Sequence, residues 1–143
     1  QSRLALSDGN VQITTTRSGV IKAGSIIVNS IISGTNSSSV NTRTLSLLAN
    51  NNVVVYKDIV LTGSGYSSPT AYPVPNLLMQ ADVNDVVIQA GLKLNATDQS
   101  QADTVANGGD VTLNAAGRVR IASNGYIESK KSLDISTKFW CRI

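Results

Sequence analysis

The acidic residues best placed to do chemistry in this chain are Asp82, Asp85 and Asp110. Hydrolases and lyases acting on polysaccharides need clustered carboxylates, often with an Arg or calcium. Asp82 and Asp85 flank a predicted corner, and Asp110 stands at a predicted strand start. At such places Asp commonly bonds nearby backbone, so these residues are read as turn formers. The chain has no histidine, which removes Ser-His-Asp acyl transfer and His-ligated zinc. Its single cysteine, Cys141, excludes an internal disulfide and a multi-cysteine metal site. Neither Gly63-Ser64-Gly65 nor Gly108-Gly109-Asp110 precedes the helix or the Lys-Ser/Thr pair of a phosphate loop. Thr14-Thr15-Thr16 is not repeated, because Leu48-Ala49-Asn50 and Gln80-Ala81-Asp82 occupy the equivalent places. An ice-binding threonine array is therefore ruled out. Asn36-Ser37-Ser38 and Asn95-Ala96-Thr97 match the N-glycosylation pattern and are read as chance in so Asn- and Ser-rich a chain. No catalytic residue, metal or cofactor is expected, and the chain is read as a non-enzyme.

The segment Lys138-Phe139-Trp140-Cys141-Arg142-Ile143 holds the only Phe, Trp and Cys. It suits either a cap over the last repeat or a contact strand, since aromatic and Arg residues are enriched at interfaces. Cys141 suits a free thiol, an intermolecular bridge or a small buried apolar group. Net charge is +3 and unevenly spread. Residues 118–143 carry +4 through Arg118, Arg120, Lys130, Lys131, Lys138 and Arg142, whereas residues 77–110 carry −4. The basic segment suits contact with phosphate, an acidic polysaccharide or an acidic neighbour, or simply a solvated surface.

These residues must be positioned by short strands. Charged residues make up 15% and aromatics 4%, with 41% hydrophobic residues regularly spaced. Abundant Ser, Thr, Asn and Gly suit strands separated by polar turns, not helices or disorder. The chain also repeats itself about every 33 residues. Val11-Gln12-Ile13, Leu45-Ser46-Leu47, Leu77-Leu78-Met79 and Val111-Thr112-Leu113 form one column. Val20, Val53, Val86 and Val119 form a second, and Ile26, Ile59 and Leu92 a third that slips to Tyr126-Ile127. Apolar residues alternate with period two within each repeat, one side inward. Leu48 and Leu78 break the alternation and are expected to face an inserted loop or a partner. No helix longer than two turns is expected.

Asn50-Asn51-Asn52, Asn84-Asp85 and Ala116-Gly117-Arg118 mark one corner. Gly24-Ser25, Lys57-Asp58, Ala90-Gly91 and Asn124-Gly125 mark the next. The third corner holds polar inserts, Ser33 to Thr44, Gly63 to Asn76 and Thr97 to Asp110, which leave at one place and should line one edge. The Pro-rich stretch from Pro69 to Pro75 cannot be a central strand. The expected fold is all-β, a right-handed parallel β-helix of about four coils with three short strands each. It forms a single domain over residues 1–143. Residues 1–10 are an edge or cap, 11–136 the four repeats, and 137–143 a cap or contact strand.

The runs LSLLANNNVVVYKDIVL (45–61), LLMQADVNDVVIQAGLKLNA (77–96) and NGGDVTLNAAGRVRIASNGYIES (107–129) resemble a known family. They are similar to the repeats of two-partner-secreted exoproteins, the filamentous-haemagglutinin and high-molecular-weight adhesin type. The likeness covers about residues 42 to 136. It implies a right-handed parallel β-helix, a secreted or cell-surface location, and a structural or adhesive role of biofilm-matrix type. The family's amino-terminal secretion domain has no counterpart in this sequence.

The expected function is therefore that of a fibre subunit or segment assembling end to end. Uncovered strand edges tend to pair with another chain, and the assembly contacts expected are Leu4, Leu6, Leu133, Ile135, Phe139, Trp140, Arg142 and Ile143. The expected partner is a second copy or neighbouring repeats of a longer chain, with host or matrix glycans also fitting. Neither nucleic acid nor membrane insertion is expected. The alternatives are a monomeric carbohydrate-binding or lyase-type β-helix, or a phage-fibre segment.

Overall fold

Period-two alternation dictates the local structure: apolar residues point to one face of each strand and polar ones to the other. A computed structural model describes residues 2–4, 9–15, 23–36, 42–63, 73–96, 109–129 and 132–138. These residues form fourteen strands and no helix. In chain order they are β1 (Ser2–Leu4), β2 (Val11–Thr14), β3 (Ile26–Val28), β4 (Ile32–Asn36), β5 (Thr44–Ala49), β6 (Val53–Val55) and β7 (Ile59–Gly63). Then follow β8 (Asn76–Ala81), β9 (Val86–Ile88), β10 (Gly91–Ala96), β11 (Val111–Ala115), β12 (Val119–Ile121), β13 (Tyr126–Glu128) and β14 (Leu133–Thr137).

Every pairing between these strands is parallel. The first sheet runs β2-β5-β8-β11-β14, the second β3-β6-β9-β12, and the third β1-β4-β7-β10-β13. The chain visits first, second and third sheet in turn, so it winds as a parallel β-helix. Successive coils lie in register. Val11, Leu45, Leu77, Val111 and Leu133 form one inward column. Val53, Val86 and Val119 form another, as expected. All three sheets contribute to one core cluster, with Leu47, Met79, Val55, Ile88, Leu61 and Leu94 completely buried. No coil could bury these residues alone, because each contacts its equivalents above and below.

The first coil differs from expectation. Val53 stacks on Ile26, not Val20, and Ile59 stacks on Ile32, not Ile26. Ile26–Val28 is thus the second strand of its coil, and Ser33 to Asn36 belongs to the third strand, not to an insert. Gly24 and Ser25 likewise sit at the first corner with Asn51 and Asn52. The physical reason is that stacking fixes strands, not connections. Residues 15–25 separate β2 from β3, whereas only residues 50–52 separate β5 from β6. The slip at Tyr126-Ile127 has the same origin: Leu92 pairs with Ile127 because the corner after Ile121 is longer. A bond from Gly125 N–H to the Ala122 carbonyl, 2.8 Å, closes that corner.

The three inserts leave from one column, Asn36, Gly63 and Ala96. The first two return at the paired positions Thr44 and Asn76. Their interiors, 37–41, 64–72 and 97–108, lie outside the described residues. Pro73, Val74 and Pro75 are buried, and β8 begins only at Asn76. Leu48 and Leu78 lie on the outer face of the first sheet, half-buried.

Candidate functional site

The corners are built from side chains that accept backbone N–H groups of the following coil. At the first corner, Ser25 Oγ accepts from Asn52 N (3.3 Å), Asn52 Oδ1 from Asp85 N (3.0 Å), and Asp85 Oδ1 from Arg118 N (2.7 Å). The Asn84 amide also donates to Asn51 Oδ1. Before the first sheet, Asn10 Oδ1 accepts from Thr44 N, Asn76 Oδ1 from Asp110 N, and Asp110 Oδ1 from both Ser132 N and Ser132 Oγ. Asp82 Oδ1 accepts from the Gln80 amide at 2.7 Å. Each of the three carboxylates singled out from sequence thus has an oxygen engaged locally or by the next coil. Asp85 and Asp110 stand at opposite ends of the first sheet's strands. Among the described residues, no group of three His, Cys, Asp or Glu side chains is placed to hold a metal ion. No helix there is long and apolar enough to cross a membrane. Asn36 is buried and donates its amide to the Pro73 carbonyl at 3.0 Å, which leaves it inaccessible to a glycan in the folded chain. Asn95 lies in β10.

One cluster spans three coils on the third sheet. Lys93 Nζ lies 2.9 Å from Asp58 Oδ2 and 5.5 Å from the Tyr126 ring centroid. Asp58 Oδ1 also accepts the Gly91 N–H at 2.8 Å. The Lys93 hydrogen bond, then the Gly91 N–H, holds the Asp58 carboxyl below its ordinary range. Bonds to Tyr126 and Asp58 push the Lys93 ammonium up. Asp58 therefore contributes stability above about pH 4 that is lost as pH falls through its lower folded value. The Lys93 contribution is present below about pH 10 and is lost only in more alkaline solution. Urea midpoints measured from pH 6 to pH 2 should fall less for Asp58→Asn than for the parent chain, the two converging at the acid end. Parallel curves would remove the cluster from acid stability.

The ends of the helix differ from its middle. In β6, β7, β8 and β9 the inward residues are fully buried. At one end, Ile13 is 37% exposed although it stacks on Leu47. At the other, Ile121, Leu133 and Ile135 are 47%, 46% and 47% exposed although they stack on Ile88, Val111 and Leu113. Among the described strands, β1, β2 and β3 are the outer members of their sheets at the first end, and β12, β13 and β14 at the second. An apolar hollow of about 310 Å³ opens at the first end among Ile13, Ile26, Val28, Ile32 and Leu47.

Of the assembly residues expected from sequence, Leu133 and Ile135 lie together on β14 at the second end. Leu4 lies on β1, opposite Gly34, at the first end. Leu6, Phe139, Trp140, Arg142 and Ile143, with Cys141, lie outside the described residues. Sequence reasoning missed Ile121 and Ile27 as exposed end residues. The available signal was their membership in the first and last strands of the second sheet. The chain matches no protein-family model, no curated protein and no solved structure.

Proposed function

We propose that this chain is a structural subunit or segment of an extracellular or cell-surface fibre, lengthened by head-to-tail stacking of its coils. One observation carries the reading: the inward columns are dry in the middle coils, whereas Ile13 at one end and Ile121, Leu133 and Ile135 at the other are partly open. The outermost strand of a sheet tends to pair with another chain. The two ends carry strands of the same three sheets, all parallel, so β1 and β2 of one copy can continue from β13 and β14 of the next. Such a contact joins unlike surfaces and does not close, which is the geometry of a filament. The likeness of the repeats to secreted adhesins supports the same reading. Corner oxygens occupied by backbone N–H groups support scaffolding over catalysis at Asp85 and Asp110.

Electron microscopy of the purified chain should show unbranched fibres whose amount rises with concentration. Compact particles at every concentration would overturn the proposal. Removing residues 138 to 143 should abolish the fibres while leaving the β-sheet circular dichroism intact. Fibres that survive this removal would take the tail out of the mechanism.

A further inference from the structure

A hollow of about 250 Å³ opens at the outer face of the first sheet, toward its second end. Stacking sets the side chains around it. Gln80, Asn114 and Ser136 pair in register on β8, β11 and β14. The strand ends Ala81, Ala115 and Thr137 pair as well, so Asp82, Ala116 and Lys138, which follow them, form a second column. Ala116 N donates to the Ala81 carbonyl at 2.9 Å and Lys138 N to the Ala115 carbonyl at 3.1 Å, which keeps that column in step.

The hollow exists because the middle of the second column is an alanine. Ala116 ends at its Cβ, while Asp82 and Lys138 stand one coil to either side, about 4.8 Å away along the stack. Among the described residues no ion pair joins the two across the gap. Ala81, Ala115 and Ala116 are buried and form an apolar floor. Gln80, Asn114, Ser136, Asp82 and Lys138 are half-buried or exposed and ring it with donors and acceptors.

That composition selects a ligand class. Among the described lining residues there is no aromatic ring to stack on a base, and a single Lys is too little for a phosphate cluster. Asp82 is the one carboxylate there, too few for a metal ion. An apolar floor inside a polar rim matches a pyranose, whose C–H face is apolar and whose edge bears hydroxyl groups. The volume falls just below that of pockets for drug-sized ligands, so it suits one ring. Lys138 asks for negative charge, whereas Asp82 already has an oxygen on the Gln80 amide at 2.7 Å.

We propose that this hollow binds a uronate sugar. The carboxylate lies on the Lys138 ammonium, the hydroxyl groups on Asn114, Ser136 and Asp82, and the C–H face on the alanines. All these residues belong to one copy, so the site does not rest on the fibre reading. Along a fibre it would recur once per copy, which suits a repeating acidic polysaccharide.

The test is amide NMR of the intact chain titrated with D-galacturonate, D-galactose and acetate. A ligand of about 13 heavy atoms at ordinary efficiency binds in the millimolar range. Galacturonate should saturably shift the Asn114 side-chain amide and the Ala116 and Lys138 backbone amides there. Galactose should bind about tenfold more weakly, the worth of one hydrogen bond to a charged group, and acetate should leave the spectrum unchanged. Lys138→Gln should erase the preference for galacturonate. Ala116→Val, which fills the hollow, should abolish binding of both sugars. Asn114→Ala, on the outer face, should weaken both several-fold without burdening the fold.

No saturable shift from either sugar up to about 50 mM, well above the expected range, overturns the site. So do shifts that survive Asn114→Ala, or acetate acting as strongly as galacturonate. Equal affinity for the two sugars overturns the role of Lys138. Binding of a galacturonate trimer as well as the monomer places the uronate in a polysaccharide, and binding of the monomer alone places it in a free sugar; either supports the site. Fibres without sugar binding would sink this site and leave the fibre reading, and sugar binding by a chain that never forms fibres would do the reverse.

Discussion

Replacing Ile88 by Asp should unfold the chain, whereas the same replacement at Ile121, its neighbour in the same column, should leave the fold standing. Ile88 is 0% exposed, lying between Val55 below and Ile121 above. A carboxylate there has no partner and no water. Its burial costs several kcal/mol even after the group takes up a proton, against a total stability of roughly 5–15 kcal/mol for a domain. Ile121 is 47% exposed, so an Asp there keeps much of its hydration. The cost should be about 1 kcal/mol, close to that of an ordinary substitution. Circular dichroism and urea titration of the two variants separate these outcomes. Ile121→Asp should also lose the fibres, because it places a charge where a second copy would dock. Equal loss of fold in both variants would mean that the second end is as dry as the middle, and would remove the basis for stacking.

The second large effect concerns Gly125. A Cβ built there would meet the Ile88 carbonyl oxygen at 2.4 Å and its carbon at 3.1 Å. That carbonyl already accepts the Ala122 N–H at 2.9 Å, so it belongs to the ladder joining two coils. Backbone on both sides must part, and Gly125→Ala should cost about 1–3 kcal/mol, as overpacking does. Gly91 gives the control. Its added Cβ would meet Tyr126 Cζ at 2.5 Å, but that ring is the end of a half-exposed side chain and can swing away. Gly91→Ala should therefore cost less than about 1 kcal/mol, the scale of the surface contact it disturbs. The ring would also leave Lys93. Denaturant midpoints decide the order. If Gly91→Ala proves the more damaging, the Tyr126 ring is a fixed part of the corner.

Much of the fold was legible because alternation and stacking act together. Leu45-x-Leu47-x-Ala49, Leu77-x-Met79-x-Ala81 and Val111-x-Leu113-x-Ala115 display their inward face openly, and they pair as the spacing predicts. The first coil was misread because a constant step presumes connections of constant length. Val20-Ile21 is apolar and sits at that step. The better clue was local: Gly24-Ser25 precedes Ile26 as Asn51-Asn52 precedes Val53, and Val28 stands four residues before Ile32 as Val55 does before Ile59. The Asp58–Lys93–Tyr126 cluster was not legible, because its side chains reach across coils rather than along the chain. Only Gly91, lying in one column between Asp58 and Tyr126, hinted at it. For the candidate ends, sequence pointed to Leu4 on β1 and to Leu133 and Ile135 on β14, but not to β3 and β12. Which inward residues stay open there depends on what stacks above them.

Five of the corner side-chain acceptors face one way. Ser25, Asn52, Asp85, Asn76 and Asp110 each receive an N–H from the coil that comes later in the chain. A finished coil thus presents preset side-chain docking points to residues not yet folded, while the later coil answers with backbone carbonyls such as those of Asn52, Asp85 and Arg118. Winding is favoured in the order in which the polypeptide is made, with each completed turn serving as the mould for its successor.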